Sequence, residues 1–301
     1  MKKEAIKEMS AQIIDGKKIS EEIKYELSEE ISILKNQKKI PGLATILVGD
    51  DPASATYVRM KEKMCNELGI LTKSFKLPSQ TNEIELLSII NKLKNDMEIH
   101  GILVQLPLPE HINATNVINS LPENKDVDGL HPASWGKMMK GEDTFLPCTP
   151  AGIQELLLRS GYNPEKKHVV IVGRSQIVGL PLANILVRKT AGANATVTVC
   201  HTGTKDISLF TKQADILIAA LGRPEVITME MVKEDAVVVD VGVNRVEAPE
   251  TKKGYRLVGD VHFESVSRKV KAITPVPGGV GPMTIIMLMK NTVKSAKQTL
   301  L

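Results

Sequence analysis

Tyr57 and Lys61 stand four residues apart in "LVGDDPASATYVRMKEKMC" (47–65), where an apolar strand gives way to a helical pattern. At about 100° per residue, Tyr57, Met60, Met64, Cys65, Leu68 and Val58 gather on one arc, and Lys61 falls about 40° from Tyr57, inside it. Arg59, Glu62, Lys63 and Asn66 take the opposite, solvated face. An ammonium aimed at an apolar face is costly unless it is partnered or loses its proton. Two outcomes are open: the lysine snorkels along the face to water, or desolvation lowers its pKa so that it exchanges protons near neutral pH. The helical wheel alone does not choose between them.

Other segments hold residues suited to binding. "VVIVGRSQIVGLPLANIL" (169–186) joins an apolar strand to a helix through Gly173 and Gly179. Gly173 permits a tight turn, and Gly179 lets a pyrophosphate approach the helix amino terminus. The next strand ends in "VTVCHTGT", with no acid to take a ribose 2′-hydroxyl, while Arg174 is placed to meet a 2′-phosphate. The pair favours NADP over NAD. "LPENKDVDGLHPASWGK" (121–137) offers Asp126 and Asp128, either or both able to accept hydrogen bonds from a heterocycle, or to form an Asx turn before Gly129. "ITPVPGGVGPMT" (273–284) has three glycines and three prolines, which allow backbone to come close to a ligand or simply make a rigid connection.

The elements that must position these residues alternate between strand and helix, the pattern of an α/β protein with parallel sheets. The spacing predicts a helix near 18–37, a strand at 43–50, the Tyr57 helix, a strand near 74–78, a helix near 83–96 and a strand at 101–109 that Pro107 and Pro109 end. "LPCTPAGIQELLLRSGY" (146–162) reads as a helix with Thr149 as N-cap, Pro150 at its first position and Gly161 past its end. Strands at 168–173, 195–200, 214–222 and 236–244 then form a doubly wound nucleotide-binding pattern. The expected division is 1–149 as an amino-terminal α/β catalytic domain and 150–282 as a Rossmann-type domain, with an apolar helix at 283–301 packing back onto the first.

At 301 residues, two domains are the natural expectation. A composition of 42% hydrophobic and 25% charged residues is that of a globular chain, and no apolar run reaches the length of a membrane span. The opening "MKKEAIKEMS" lacks the apolar run of a secretory leader, so a cytoplasmic location is expected. A net charge of +4, spread thinly, suits an anionic small molecule better than nucleic acid, and four Tyr, four Phe and one Trp leave few platforms for stacking bases. Cys65, Cys148 and Cys200 share no C-x-x-C spacing and the six histidines are scattered, so neither disulfides nor a metal site is expected.

Together, "YVRMK", "VQLPLP", "KDVDG", "GRSQIVGLP" and "TPVPGGVGPMT" resemble, in order and spacing over nearly the whole chain, the bifunctional methylenetetrahydrofolate dehydrogenase/methenyltetrahydrofolate cyclohydrolase family. The resemblance implies that 5,10-methylenetetrahydrofolate loses a hydride to NADP and that the methenyl product is hydrolysed to 10-formyltetrahydrofolate, both in one cleft between the domains. It makes Tyr57 the residue that stacks on the aminobenzoyl ring, Lys61 the residue of the hydrolytic step, Gln105 its positioning partner and Asp128 the acceptor at the pterin edge. It adds Pro107 and Gly281 as substrate contacts, and Arg174, Ser175, Ile177, Thr202 and Val243, with Gly173 and Gly179, as cofactor contacts. Thr202 replaces a serine common in relatives, which makes its 2′-phosphate contact less secure than that of Arg174. A homodimer is also implied.

Three rivals are weaker. Tyr-x-x-x-Lys is the catalytic pair of short-chain dehydrogenases, but there it follows the nucleotide loop, and here Tyr57 precedes Gly173 by more than a hundred residues. A non-catalytic NADP-binding sensor would show no absorbance change with methylenetetrahydrofolate and NADP. A member with one activity is disfavoured because Lys61, Gln105 and Asp128 are all present.

Overall fold

A computed structural model of the chain describes residues 11–251 and 254–299; the opening MKKEAIKEMS, where the expectation about a leader falls, lies outside the described residues. The chain divides into two compact units. One joins the described residues up to Ser20 to Thr149–Thr284, and the other joins Glu21–Cys148 to the described residues from Ile285 onward.

The first unit takes the opening elements: β1 (Gln12–Ile13) and the start of α1 (Gly16–Asn36), which continues into the second unit. This differs from the expected division, which left residues 1–149 together. The cause is a two-residue strand too short to leave a periodic signal.

The second unit is built on β2 (Gly42–Val48), α2 (Pro52–Leu68), β3 (Leu71–Leu77), α3 (Glu83–Lys94) and β4 (Gly101–Val104). Its parallel sheet has the order β3-β2-β4. β2 is buried along its full length, as a central strand covered on both faces must be. Ala44, Ile46 and Val48 pack with Ile102 and Val104 against Leu86, Ile90 and Leu93 of α3. β4 ends at Val104, well short of the expected 109, although the Gln105 N–H still reaches the Ile46 carbonyl at 2.8 Å. Two short helices follow that the periodicity did not suggest, α4 (Ala114–Ser120), capped by Asn113, and α5 (Pro132–Lys140), capped by the His131 ring.

α6 (Cys148–Arg159) opens the return to the first unit. It begins one residue before Thr149, so Thr149 sits in the first turn rather than at the cap, and its hydroxyl bonds that of Thr284 at 2.9 Å. β5 (His168–Val172), α7 (Gly179–Val187), β6 (Thr196–Cys200), α8 (Ser208–Thr211), β7 (Ile216–Ala219) and β8 (Val237–Asp240) match the expected strands and add helices between them. After β8 the chain leaves the sheet as an antiparallel hairpin, β9 (Asn244–Glu247) and β10 (Tyr255–Val258), where one longer strand was expected. α9 (Phe263–Val266) and β11 (Ala272–Ile273) complete a six-stranded parallel sheet of order β1-β11-β8-β7-β5-β6. α10 (Val280–Gln298) starts three residues earlier than expected, and its residues from Ile285 onward belong to the second unit. Among the described residues, no helix is long and apolar enough to cross a membrane.

Candidate active site

α2 is anchored by Asp51, whose carboxylate accepts from the Ser54 N–H at 2.7 Å, with Pro52 in the first turn and Gly69 closing the far end in the left-handed conformation. Its buried residues are Ser54, Val58, Lys61, Cys65 and Leu68, a face with Lys61 at its centre. Met60, expected on that face, is instead 44% exposed, because the buried stripe is rotated away from it.

Lys61 does not snorkel. It is 7% exposed, and its Nζ donates to Gln105 Oε1 at 2.9 Å. The Gln105 Nε2 donates to the Leu106 carbonyl at 2.8 Å, which fixes the amide so that its oxygen faces the lysine. Burial holds the ammonium below the usual lysine range, partly offset by the negative charge of Asp128. Tyr57, one turn earlier on α2, is half-buried, and its desolvation pushes the phenol upward. Pro107 lies exposed just beyond Gln105.

The two acids of "KDVDG" part company. Asp126 is fully buried; one carboxylate oxygen accepts from the His131 N–H at 2.8 Å and the Ser134 hydroxyl at 3.3 Å, and the other has no hydrogen-bond partner. Burial raises its pKa. Asp126 thus shapes the loop that leads into α5. Asp128 is half-buried and lies within electrostatic reach of Lys61 and of the thiol of Cys148. Gly129 makes this possible: at φ +71°, a Cβ there would meet the backbone of Leu146 at 2.7 Å.

Cys148 gave no chemical signal in the sequence beyond its expected burial. It is fully buried against Asp128, and desolvation lifts its thiol well above the usual range. Asn291 was also missed. Its amide donates to the carbonyls of Val127 at 2.8 Å and Leu146 at 3.0 Å, bracing the backbone beside Asp128. The available signal was a polar residue on a buried stripe of an apolar helix.

In the first unit, Val172 pairs with Cys200 across the sheet, so Arg174 and Thr202 each stand two residues beyond the same rung at the carboxyl edge. Both are exposed. Gly173, at φ +135°, lies at the switch point between β5 and β7, where a Cβ would come within 2.1 Å of the Ala220 carbonyl oxygen. A Cβ on Gly179 would meet the Gly173 carbonyl at 2.1 Å. Ser175 Oγ accepts from the Val178 N–H at 3.1 Å and holds the loop ahead of α7. Ile177 and Val243 are exposed hydrophobes at the same edge, 48% and 44% accessible. Strand, glycine-lined turn, helix amino terminus and flanking guanidinium fit a dinucleotide. Gly281 lies in the first turn of α10, with open space where a side chain would stand.

Comparison with known proteins also divides the chain into two domains, at bounds that differ from those of the compact units at both ends of the chain. Residues 14–128 match the catalytic domain of tetrahydrofolate dehydrogenase/cyclohydrolase, and residues 147–300 match its NAD(P)-binding domain. The chain is 54% identical over 286 residues to the bifunctional protein FolD of Chloroherpeton thalassium, covering 94% of this chain and 97% of that protein. Among solved structures, the bifunctional methylenetetrahydrofolate dehydrogenase/cyclohydrolase of Campylobacter jejuni aligns with a TM-score of 0.90 at 49% identity, covering 96% of this chain and 99% of that one. The Trypanosoma brucei enzyme, solved with NADP and an inhibitor, aligns with a TM-score of 0.91 at 38% identity over 96% of this chain and 98% of that one. A buried lysine held by a glutamine on one unit and a dinucleotide edge on the other thus belong to a chain of the tetrahydrofolate dehydrogenase/cyclohydrolase family.

Proposed function

We propose that the chain oxidises 5,10-methylenetetrahydrofolate to the methenyl form with NADP, and hydrolyses that product to 10-formyltetrahydrofolate through Lys61. The buried contact between Lys61 and Gln105 carries the hydrolytic half of this reading. When bound, NADP supplies the hydride acceptor. Oxidation leaves a cation stabilised by nitrogen, so that step asks the protein for orientation more than for a base; Tyr57 provides a ring face and Asp128 an acceptor for the pterin.

Hydrolysis needs proton transfer. Water adds its oxygen to the methenyl carbon while Lys61, as a neutral amine, takes one of its protons. When the carbon–nitrogen bond of the adduct breaks, the departing nitrogen receives a proton, which Lys61 returns, and the carbinol oxygen loses its own to become the formyl carbonyl. The overall reaction consumes one water and releases one proton. Burial already favours the neutral amine, and a cationic substrate beside it favours that form further.

Arg174 is the residue to pair with a 2′-phosphate, aided by Thr202, which supports NADP over NAD. Gly281 and Pro107 are the backbone-close contacts for folate. Work in the cytoplasm as a homodimer completes the reading, and the outer edge of β3, which pairs with no other strand among the described residues, is a surface for a second copy to cover.

The test is a paired assay on the purified chain that follows NADPH formation from methylenetetrahydrofolate and, separately, decay of methenyltetrahydrofolate. Both are expected. Loss of either one would leave a single-activity enzyme, and loss of both would leave the dinucleotide-binding sensor.

A further inference from the structure

Two buried carboxylates sit side by side at the carboxyl edge of the six-stranded sheet, outside every contact used above. Asp260 is fully buried and Asp240 is 3% exposed. One oxygen of Asp260 accepts from the N–H groups of Leu221 at 2.6 Å and Gly222 at 2.9 Å; the other accepts from the Arg223 N–H and the Asn244 side-chain amide, both at 2.9 Å. A single carboxylate therefore ties the loop after β7 to the chain that enters β9. Asp240 in turn holds Asp260: it accepts from the N–H groups of Gly242, Asp260 and Val261 at 2.9–3.0 Å.

Glycines make room for this. A Cβ on Gly242 would sit 2.1 Å from the Asp260 carboxylate, and one on Gly259 would sit 1.7 Å from that of Asp240. Three successive N–H groups and an amide converging on one anion resemble a ligand nest, but the occupant is the protein's own side chain. Its effect is to tie two loops to one buried anion, in addition to the backbone bonds from Val241 to Ala219 and from Ala220 to Val172.

The location gives those loops a task. On the NADP reading, Arg174 and Thr202 would meet the 2′-phosphate on the β5–β6 side of the switch point, and the turn before α7 would receive the pyrophosphate. The remaining half of the dinucleotide must then extend over β7 and β8, whose loops Asp260 fixes. We propose that Asp260 is a positioning residue for the nicotinamide half of NADP, setting the loops Leu221–Arg223 and Gly242–Asn244 so that hydride transfer, and not hydrolysis, depends on it. This rests on the NADP reading above.

Asp240 is the poorer site for substitution, since burial and then the neighbouring acid push its carboxyl up to about 7, and its charge changes near neutrality. Asp260→Asn keeps the shape and sets an amide against donors it cannot accept from. NADPH should bind about tenfold more weakly to this variant, with a lower dehydrogenase kcat. Binding of adenosine 2′,5′-bisphosphate, which lacks the nicotinamide half, should stay within twofold of wild type, as should hydrolysis of the methenyl substrate without NADP. Unchanged NADPH affinity overturns the proposal. So does an equal loss of both activities, or of affinity for the bisphosphate, which would make Asp260 a general brace. Should Asp260→Asn fail to fold, Asn244→Ala, which removes one donor, decides in the same assays: weaker NADPH binding with unchanged bisphosphate binding supports the role, and unchanged NADPH binding sinks it. Failure of the wild type to bind NADPH would instead reject the functional reading itself.

Discussion

Lys61 Nζ lies 2.9 Å from Gln105 Oε1, joining the middle of one helix to the first residue beyond strand β4, 44 positions later in the chain. The glutamine's own amide is spent on the Leu106 carbonyl, so the lysine meets an acceptor that brings no charge. A carboxylate in that place would hold the ammonium protonated. A neutral acceptor orients the nitrogen and leaves its proton available.

Replacing Lys61 with Met should cut methenyltetrahydrofolate hydrolysis at least about 100-fold, the usual worth of a positioned acid–base group, while dehydrogenase activity stays measurable. Separate initial-rate assays of the two steps check this. Hydrolysis at the wild-type rate would remove Lys61 from the mechanism.

The same variant carries a stability signature. Burial depresses the folded-state pKa of Lys61, so between that value and the unfolded 10.5 the unfolded chain binds more protons, and stability rises with pH. Below the folded pKa the full cost of the buried charge is felt. Lys61→Met should therefore melt higher than wild type at neutral pH, by roughly 2–4 °C for each kcal/mol gained, with the difference shrinking as pH approaches the unfolded value. A melting series across pH would refute this if the gap stayed constant.

Arg174→Ala should raise the KM for NADP by about tenfold or more, the cost of a lost charge-assisted contact, and leave the weaker use of NAD nearly unchanged. Kinetics with both cofactors decide it. Equal effects would show that Arg174 meets a group the two cofactors share.

Asp126 and Asp128 should behave differently despite their spacing. Asp128→Asn is expected to raise the KM for folate substrates about tenfold. Asp126→Asn should act mainly on melting temperature, since that side chain is spent on His131 and Ser134. If Asp126→Asn alone altered substrate affinity, the assignment of the two acids would have to be exchanged.

Gly173→Ala places a Cβ 2.1 Å from the Ala220 carbonyl at a backbone φ of +135°. The expected result is loss of dinucleotide binding, read by NADPH fluorescence, with destabilisation of about 1–3 kcal/mol or more. Wild-type affinity would mean that the turn relaxes freely.

Periodicity placed most of the strands and helices, because apolar runs and glycine–proline punctuation are local properties of the chain. It failed where local signal is absent. β1 and β11 are two residues each and exist only because they pair with a sheet edge. The shift of Ala11–Ser20 into the first unit follows from that pairing.

By itself the sequence determined that a lysine occupies an apolar helical face, that a glycine-spaced turn precedes a helix, and that no acid follows the second nucleotide strand. Only the tertiary structure decided what faces the lysine, which of two acids two residues apart lies within its electrostatic reach, and which distant groups Cys148, Asn291 and Asp260 meet. Composition and spacing report what a side chain is and which way its own element turns it. Partners contributed by distant segments, and the burial that shifts a proton equilibrium, arise only when the chain closes on itself.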